Sequence, residues 1–305
     1  MIAASPLISA VRRATSILLV VLLFGGAWVA SAEPPTASPA PQAADSLNVM
    51  SFNIRYGTAR DGDNAWELRR SALIEAIEAF RPDVLGVQEA LHFQLDELVV
   101  AMPRYQRIGM GRTDGVEAGE YAAILIDRSR LEVLEESTFW FSDTPSVPGS
   151  TSWGNDITRI CTWARLRDRA SGRSFYAYNV HWDHRSQPSR ERSGALLLQT
   201  IIGRGFSEDP VLVTGDFNAG ETNPAFRQLL ESPEALLVDT FRLIHPMVGE
   251  VGTFNGFEGT TSGEKIDAVL ASGGWEVVAA QIDRATRQGR YPSDHFPVTA
   301  TLTLR

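Results

Sequence analysis

The chain of 305 residues carries 28 Lys and Arg against 37 Asp and Glu, a formal charge of −9, with 44% hydrophobic residues and one cysteine. Its basic residues are scattered arginines with Lys265 the only lysine, so no run of cations tracks a polyanion and no stable nucleic-acid complex is expected. A single cysteine excludes an intramolecular disulfide framework, and the apolar neighbours in Ile160-Cys161-Thr162-Trp163 read as the setting of a buried structural thiol.

At the N-terminus, Arg12 and Arg13 precede an uncharged apolar run from Ile17 to Ala30, and Ala30-Ser31-Ala32 is an A-x-A cleavage site before Glu33 and two prolines. Residues 1–32 therefore read as a secretory signal peptide. The run is shorter than the ~20 residues of a spanning helix, so a periplasmic or secreted protein is expected, with an uncleaved membrane anchor as the alternative. Cleavage near Ala32 would take the charge to −11, since Arg12 and Arg13 are the only charged residues removed. Residues 33–46, rich in Pro, Ala, Ser and Thr, read as a flexible linker, and residues 47–305 as one domain.

Strand and helix signals alternate along that domain. Leu47–Phe52 reads as a strand, followed by Leu73, Ala76, Ile77 and Phe80 at helical spacing up to Pro82. A second strand, Val84–Gln88, precedes a second helix carrying Leu91, Leu95, Leu98 and Val99. Strands follow near Tyr121–Ile126, Leu131–Phe141, Ile160–Leu166 and Ser174–Val180, and a long loop, Phe141 to Asn155, surrounds Trp153. A helix over Pro188–Ile202, with proline in its first turn, leads to the strand Pro210–Thr214. Further strands are expected near Ile266–Leu270, Trp275–Gln281 and Val298–Leu304. The mixture argues for two packed sheets flanked by helices rather than one parallel sheet.

Four of these apolar runs end on a polar group: Asn53, Glu89, Asp216 and, through Ser293-Asp294-His295, the last strand's approach. A carboxylate at the mouth of a buried strand is costly unless it is paired or meets a cation. Ser51-Phe52-Asn53-Ile54-Arg55, Gln88-Glu89, Asn179-Val180-His181, Gly215-Asp216-Phe217-Asn218, Ile266-Asp267 and Ser293-Asp294-His295 occur in that order. The ordered set resembles the endonuclease/exonuclease/phosphatase superfamily, the deoxyribonuclease I-like metal-dependent phosphoesterases, and within it an exported bacterial branch. The resemblance implies a four-layered α/β/β/α sandwich and Mg²⁺-assisted attack of water on a phosphoester, with Mn²⁺ as a substitute metal.

On that basis Glu89 is the leading metal ligand, with Asn53 beside it and Asp294 contributing, since Mg²⁺ prefers carboxylate oxygens. Asp216 is the candidate for orienting and deprotonating the water, and Asn218 for holding a phosphate oxygen. His295 is expected on the phosphate with Asp267 fixing its tautomer, and His181 is expected as a second phosphate-facing imidazole. Glu120 and Tyr121, at the start of a strand, and Trp153, on the long loop, together with Arg159 are the candidate substrate contacts. His181-Trp182-Asp183-His184 also partly matches the H-x-H-x-D-H zinc motif, but Asn179 stands in its first position and breaks it. The expected activity is hydrolysis of a small phosphoester such as a sugar, inositol or lipid-headgroup phosphate, with no obligate protein partner. An extracellular nuclease is the second enzymatic reading, and a catalytically inactive binding module the rival from another class.

Overall fold

In the computed structural model, which describes residues 46–305 apart from Met247, Val248 and Glu250, the strands form two six-stranded sheets. The expected signal peptide and all of the expected linker but Ser46 lie outside the described residues, and Ser46 itself opens the first strand. The first sheet contains β1 (Ser46–Asn53), β2 (Val84–Ala90), β3 (Tyr105–Ile108), β4 (Tyr121–Asp127), β11 (Trp275–Ile282) and β12 (Val298–Leu304), in the order β11-β12-β1-β2-β4-β3. The second contains β5 (Leu131–Trp140), β6 (Ile160–Asp168), β7 (Ser174–His181), β8 (Val211–Asp216), β9 (Val238–Asp239) and β10 (Asp267–Ala271), in the order β5-β6-β7-β8-β10-β9. Each sheet is mixed: β1 runs parallel to β2 and β7 parallel to β8, and the other pairings are antiparallel.

Strand alternation sorts the apolar residues into layers. Leu47 and Val49 of β1, Val84 of β2, Ala177 of β7 and Leu212 of β8 pack together between the sheets. Met50, Phe52, Leu85 and Val87 face the other way, against Trp66, Leu73 and Ile77 of α1 (Trp66–Phe80) and Leu95 and Leu98 of α2 (His92–Ala101). Tyr176, Tyr178, Val211 and Val213 face outward from the second sheet, beside Leu197 and Ile201 of α3 (Gln187–Ile202) and Phe226 and Leu229 of α4 (Pro224–Glu231). The result is the four-layered α/β/β/α sandwich.

The predicted strands and long helices recur with bounds shifted by a residue or two. Ser186 caps α3 through a bond from Ser189 N, so the helix begins one residue before Pro188. β3, β9 and α5 (Thr240–Ile244) were not anticipated, since none is long enough to show a period, and α4 was missed although Phe226 and Leu229 fall at helical spacing behind an Asn223 cap.

Toward one end of the inter-sheet layer the inward positions turn polar. Gln88 Nε2 donates to Asn179 Oδ1 (2.7 Å), Thr214 Oγ1 donates to the same oxygen (3.0 Å), and Gly215 N donates to Ser51 Oγ (2.9 Å). Asn179 Nδ2 reaches the backbone oxygens of Val87 and Ala123 across the gap, at 2.9 and 2.8 Å. The sheets approach closely here: a Cβ on Gly86 would lie 2.1 Å from Thr214 Oγ1. This buried seam ties both sheets into one frame directly beneath the strand ends that carry the candidate site.

Candidate active site

Every strand that meets the seam delivers a polar side chain to its end. Asn53 ends β1, His181 ends β7, Asp216 ends β8, and Asp267, which pairs with Asp216 across the ladder, begins β10. These four occupy inward positions in the same alternation as Val49, Ala177, Leu212 and Val269. Glu89 does not. Two residues beyond the outward-facing Val87, it should point to the helix layer, but the β2–β4 ladder slips between Gln88 and Ala90, and Glu89 has a left-handed φ of 63°. The bulge re-aims its carboxylate into the site. Arg55 and Asn218, at φ 55° and 47°, are the other left-handed residues there, and such backbone persists only where the surroundings over-determine it.

Part of that determination comes from Arg69 of α1. Its buried guanidinium donates to the backbone oxygens of Ile54 (2.7 Å), Arg55 (2.9 Å) and Pro292 (3.0 Å), pinning the segment after β1 to the one that presents Asp294 and His295. Ser293 Oγ closes the junction with a bond to Asn53 O at 2.7 Å.

Asp216 is the hub. Its Oδ2 accepts from Asn53 Nδ2 at 3.0 Å and lies 3.6 Å from His181 Nε2 and 3.9 Å from His295 Nε2, while Oδ1 accepts from Asn218 N at 2.9 Å. Burial first, and the neighbouring Asp267 second, push its carboxyl up to about 7. Burial would lower His295, but Asp267, bonded to Nδ1 at 2.9 Å, together with Asp216 and Asp294 holds it well above its ordinary value. His181 goes the other way: burial, then Arg159 and Arg112, keep it well below. Two imidazoles therefore flank one carboxylate in opposite protonation states, His295 cationic and His181 neutral.

The donor set suits a hard divalent cation. Asp216, Asp267 and His295 offer ligand atoms within 4.8 Å of one another, and Glu89 and Asp294 add carboxylates on the wall of the same cavity. Asp294 is itself raised, chiefly by burial, and Asp267 Oδ1 is buried without a hydrogen-bond partner. Carboxylates in such surplus are what a cation relieves. Because Asp267 Oδ2 and His295 Nδ1 are already bonded to each other, Glu89 and Asp294 are the better placed to hold it. The Asn53 amide oxygen accepts from Arg55 N (3.0 Å), and its NH₂ spans Glu89 Oε1 (3.1 Å) and Asp216 Oδ2, so it clips two carboxylates in place while the second lone pair of its oxygen stays open to a cation. Glu89→Gln is expected to shift the metal midpoint of activity upward by about tenfold or more, since the amide loses the charge that holds the cation. A metal titration with an unchanged midpoint and full turnover would remove Glu89 from the ligands.

The cavity above this cluster measures about 680 Å³. Of the sequence candidates, Glu89, Glu120, Arg159, His181, Asp216, Asn218, Asp294 and His295 line it. Asn218 Nδ2 uses one N–H on Trp182 O (3.0 Å) and keeps the second. Glu120 pairs with Arg112 (2.7 Å), and burial raises its carboxyl. Arg159 sits beside Asp183 (3.7 Å) and His184 Nδ1 (2.9 Å), which gives the broken zinc motif its place: behind a guanidinium, not around a metal.

Tyr121 and Trp153 are not brought to the cavity. Tyr121 is buried with its hydroxyl on Val116 O (2.9 Å) and His92 Nδ1 (2.8 Å), and Trp153 packs against the outer core with Nε1 on Asp143 (2.8 Å). Arg112, Arg185, Phe254 and Glu264 line it without having been anticipated, because each lies on an irregular segment with no pattern to mark it. Cys161 is buried, and burial pushes its thiol up, as befits a packing residue.

The arrangement has counterparts in known proteins. The Endonuclease/Exonuclease/phosphatase family model matches residues 50–295. A solved endonuclease/exonuclease/phosphatase structure from Bacteroides vulgatus is 32% identical, covering 85% of this chain and 99% of its own, with a TM-score of 0.77. The mannosyl-6-phosphatase of Bacteroides thetaiotaomicron is 30% identical, covering 85% of this chain and all of its own (100%), at a TM-score of 0.77. Nocturnin of Drosophila melanogaster is 27% identical over 218 residues, 63% of this chain and 32% of that relative's length, so the chain spans about a third of it. With its family match, its two-sheet sandwich and its acid–imidazole cluster, the chain belongs to the endonuclease/exonuclease/phosphatase family of metal-dependent phosphoester hydrolases.

Proposed function

We propose that the chain is an exported, Mg²⁺-dependent hydrolase of small phosphoesters. The observation that carries this reading is Asp216 Oδ2 placed 3.6 Å from His181 Nε2 and 3.9 Å from His295 Nε2 on the floor of a cavity of about 680 Å³. Asp216, ionised, accepts the proton of the attacking water, and Asn218 N holds the other carboxylate oxygen so that Oδ2 faces the cavity. His295, kept protonated by Asp267, binds a phosphoryl oxygen and offsets charge as it develops. His181, whose Nε2 lies 3.6 Å from Asp216 and Nδ1 4.0 Å from Glu120 with neither in a hydrogen bond among the described residues, can turn a ring nitrogen to the phosphate from the far side of Asp216. When bound at Glu89 and Asp294, a divalent cation would supply Lewis-acid polarisation of the phosphoryl group. A small substrate is favoured by the size of the cavity, and the mannosyl-6-phosphatase relative supports a sugar phosphate.

The test is hydrolysis of a panel of phosphomonoesters, phosphodiesters, phospholipids and nucleic acids, each with Mg²⁺ and with chelator. Chelator-sensitive release of phosphate from small monoesters is expected. Preference for RNA or DNA would establish the nuclease reading, and binding without turnover of any substrate would establish a catalytically inactive module. Export is proposed on the leader sequence alone: N-terminal sequencing of the periplasmic or secreted protein is expected to begin near Glu33, and recovery of the full-length chain in membranes would mark an anchor.

A further inference from the structure

Beside the catalytic cluster, the segment from Val251 to Ile266 carries a residue that packing does not explain. Phe254 is 49% exposed, yet its neighbours are fastened on both sides. Phe296 N donates to Thr253 O (2.8 Å), and Thr253 Oγ1 accepts from Ile266 N (3.0 Å) and Asp267 N (3.1 Å). Asn255 N donates to Asp294 O (2.6 Å) and its Nδ2 to Ser293 O (3.2 Å). Phe254 thus sits on a mount made from the peptides of the catalytic residues, and its backbone forms a bridge with His295. Its ring meets the His295 imidazole edge-on, with centroids 5.2 Å apart and planes at 75°, and it lines the cavity. An apolar ring held half in water gains little from folding. Facing a cavity, it gains from a ligand.

Glu264 lines the same cavity. Among the described residues nothing forms a hydrogen bond or ion pair with its carboxylate, which lies flat against Gly220: a Cβ there would meet Oε1 at 2.3 Å. Gly220 does not need its freedom for a left-handed turn, so its missing side chain serves as room for Glu264. An aromatic face and an unpaired carboxylate at one end of a polar cavity match the two surfaces of a sugar ring, its C–H face and its hydroxyl edge. A carboxylate accepts hydrogen bonds only, so it suits a polyhydroxylated group.

We propose that Phe254 and Glu264 form a sugar subsite, in which Phe254 stacks on a pyranose-sized ring and Glu264 accepts hydrogen bonds from its hydroxyls, making phosphorylated sugars the substrate class. The inference rests on the phosphoester-hydrolase reading above. Position separates a sugar from a nucleobase. Phe254 lies one ring contact from His295, within reach of a group attached close to the phosphate. In a nucleotide that group is the ribose, and the base lies farther out.

The experiment compares kcat/KM for glucose 6-phosphate and mannose 6-phosphate with that for glycerol phosphate, which has no ring, in the wild type, Phe254→Ala and Glu264→Ala. Each variant is expected to lower the ratio of hexose to glycerol substrate by about tenfold or more, through KM, the scale on which a pocket discriminates by one apolar contact or hydrogen bond. Phe254→Tyr, which keeps the ring, is expected to restore it. An unchanged ratio, or equal losses on all substrates, overturns the proposal. So does a wild type that favours nucleotides over hexose phosphates and loses that preference in Phe254→Ala. Calorimetric binding of mannose 6-phosphate to the full chain separates the two readings: Phe254-dependent binding without turnover keeps the sugar subsite and removes the hydrolase, whereas turnover of non-sugar phosphoesters without such binding does the reverse.

Discussion

Asp216→Asn is expected to lower kcat by roughly 10²- to 10⁴-fold, the range typical of a lost general base. The amide has nearly the shape of the carboxylate but cannot take the proton. It also cannot satisfy both neighbours, since Asn53 Nδ2 and Asn218 N each donate to a separate Asp216 oxygen. Stability moves differently. The buried Asp216 carboxyl has a folded value of about 7, raised above its ordinary 3.8. Its ionised form therefore opposes folding as pH rises from its unfolded value through the folded one, and neutral Asn removes that cost. The stranded donor offsets part of that gain, so the melting temperature at pH 8 is expected to change little while activity falls. The measurements are kcat under saturating metal and thermal melting by circular dichroism. A folded Asp216→Asn enzyme turning over at the wild-type rate would sink the mechanism, whatever the substrate proves to be.

His295→Ala is expected to cost kcat on a similar scale, roughly 10²- to 10³-fold, because the cation that faces the transferring phosphoryl group is gone. Here the fold suffers as well. Asp267 already has one buried oxygen without a partner, and losing His295 Nδ1 strands the other. His295→Gln, which offers a neutral donor to Asp267, separates the two effects. It is expected to recover melting temperature and not kcat. Combining Asp216→Asn with His295→Ala should give much less than the product of the single losses, since both residues serve one transition state. Full multiplicativity in kcat, with both single variants folded, would mean that the two act in separate steps.

The sequence by itself determined the layers and where most of the candidate site residues gather. The alternation that sends Val49, Ala177 and Leu212 into one core also sends Asn53, His181 and Asp216 to its end, because a strand keeps its two-residue period to its last residue. The pairing of Asp267 with His295 followed from an acid and a histidine that the ordered motifs had already brought together. Only the tertiary structure decided the rest. Glu89 reaches the site through a bulge that reverses its facing, and no period predicts where a ladder slips. Asn53 also clips Glu89 to Asp216, an orientation fixed by the bond from Arg55 N to its amide oxygen, which depends on a left-handed residue pinned by Arg69 from another element. Tyr121 turned to His92 and Val116, and Trp153 to Asp143, because buried polar tips go to the partners that folding brings within reach. Phe254 and Glu264 lie on a segment with neither period nor motif, and their place beside His295 exists only once Thr253 and Asn255 are bonded to peptides near residues 267, 294 and 296. Periodicity is local and can be read along the chain, whereas the aim of a side chain at an irregular strand end is settled by contacts between residues far apart in it.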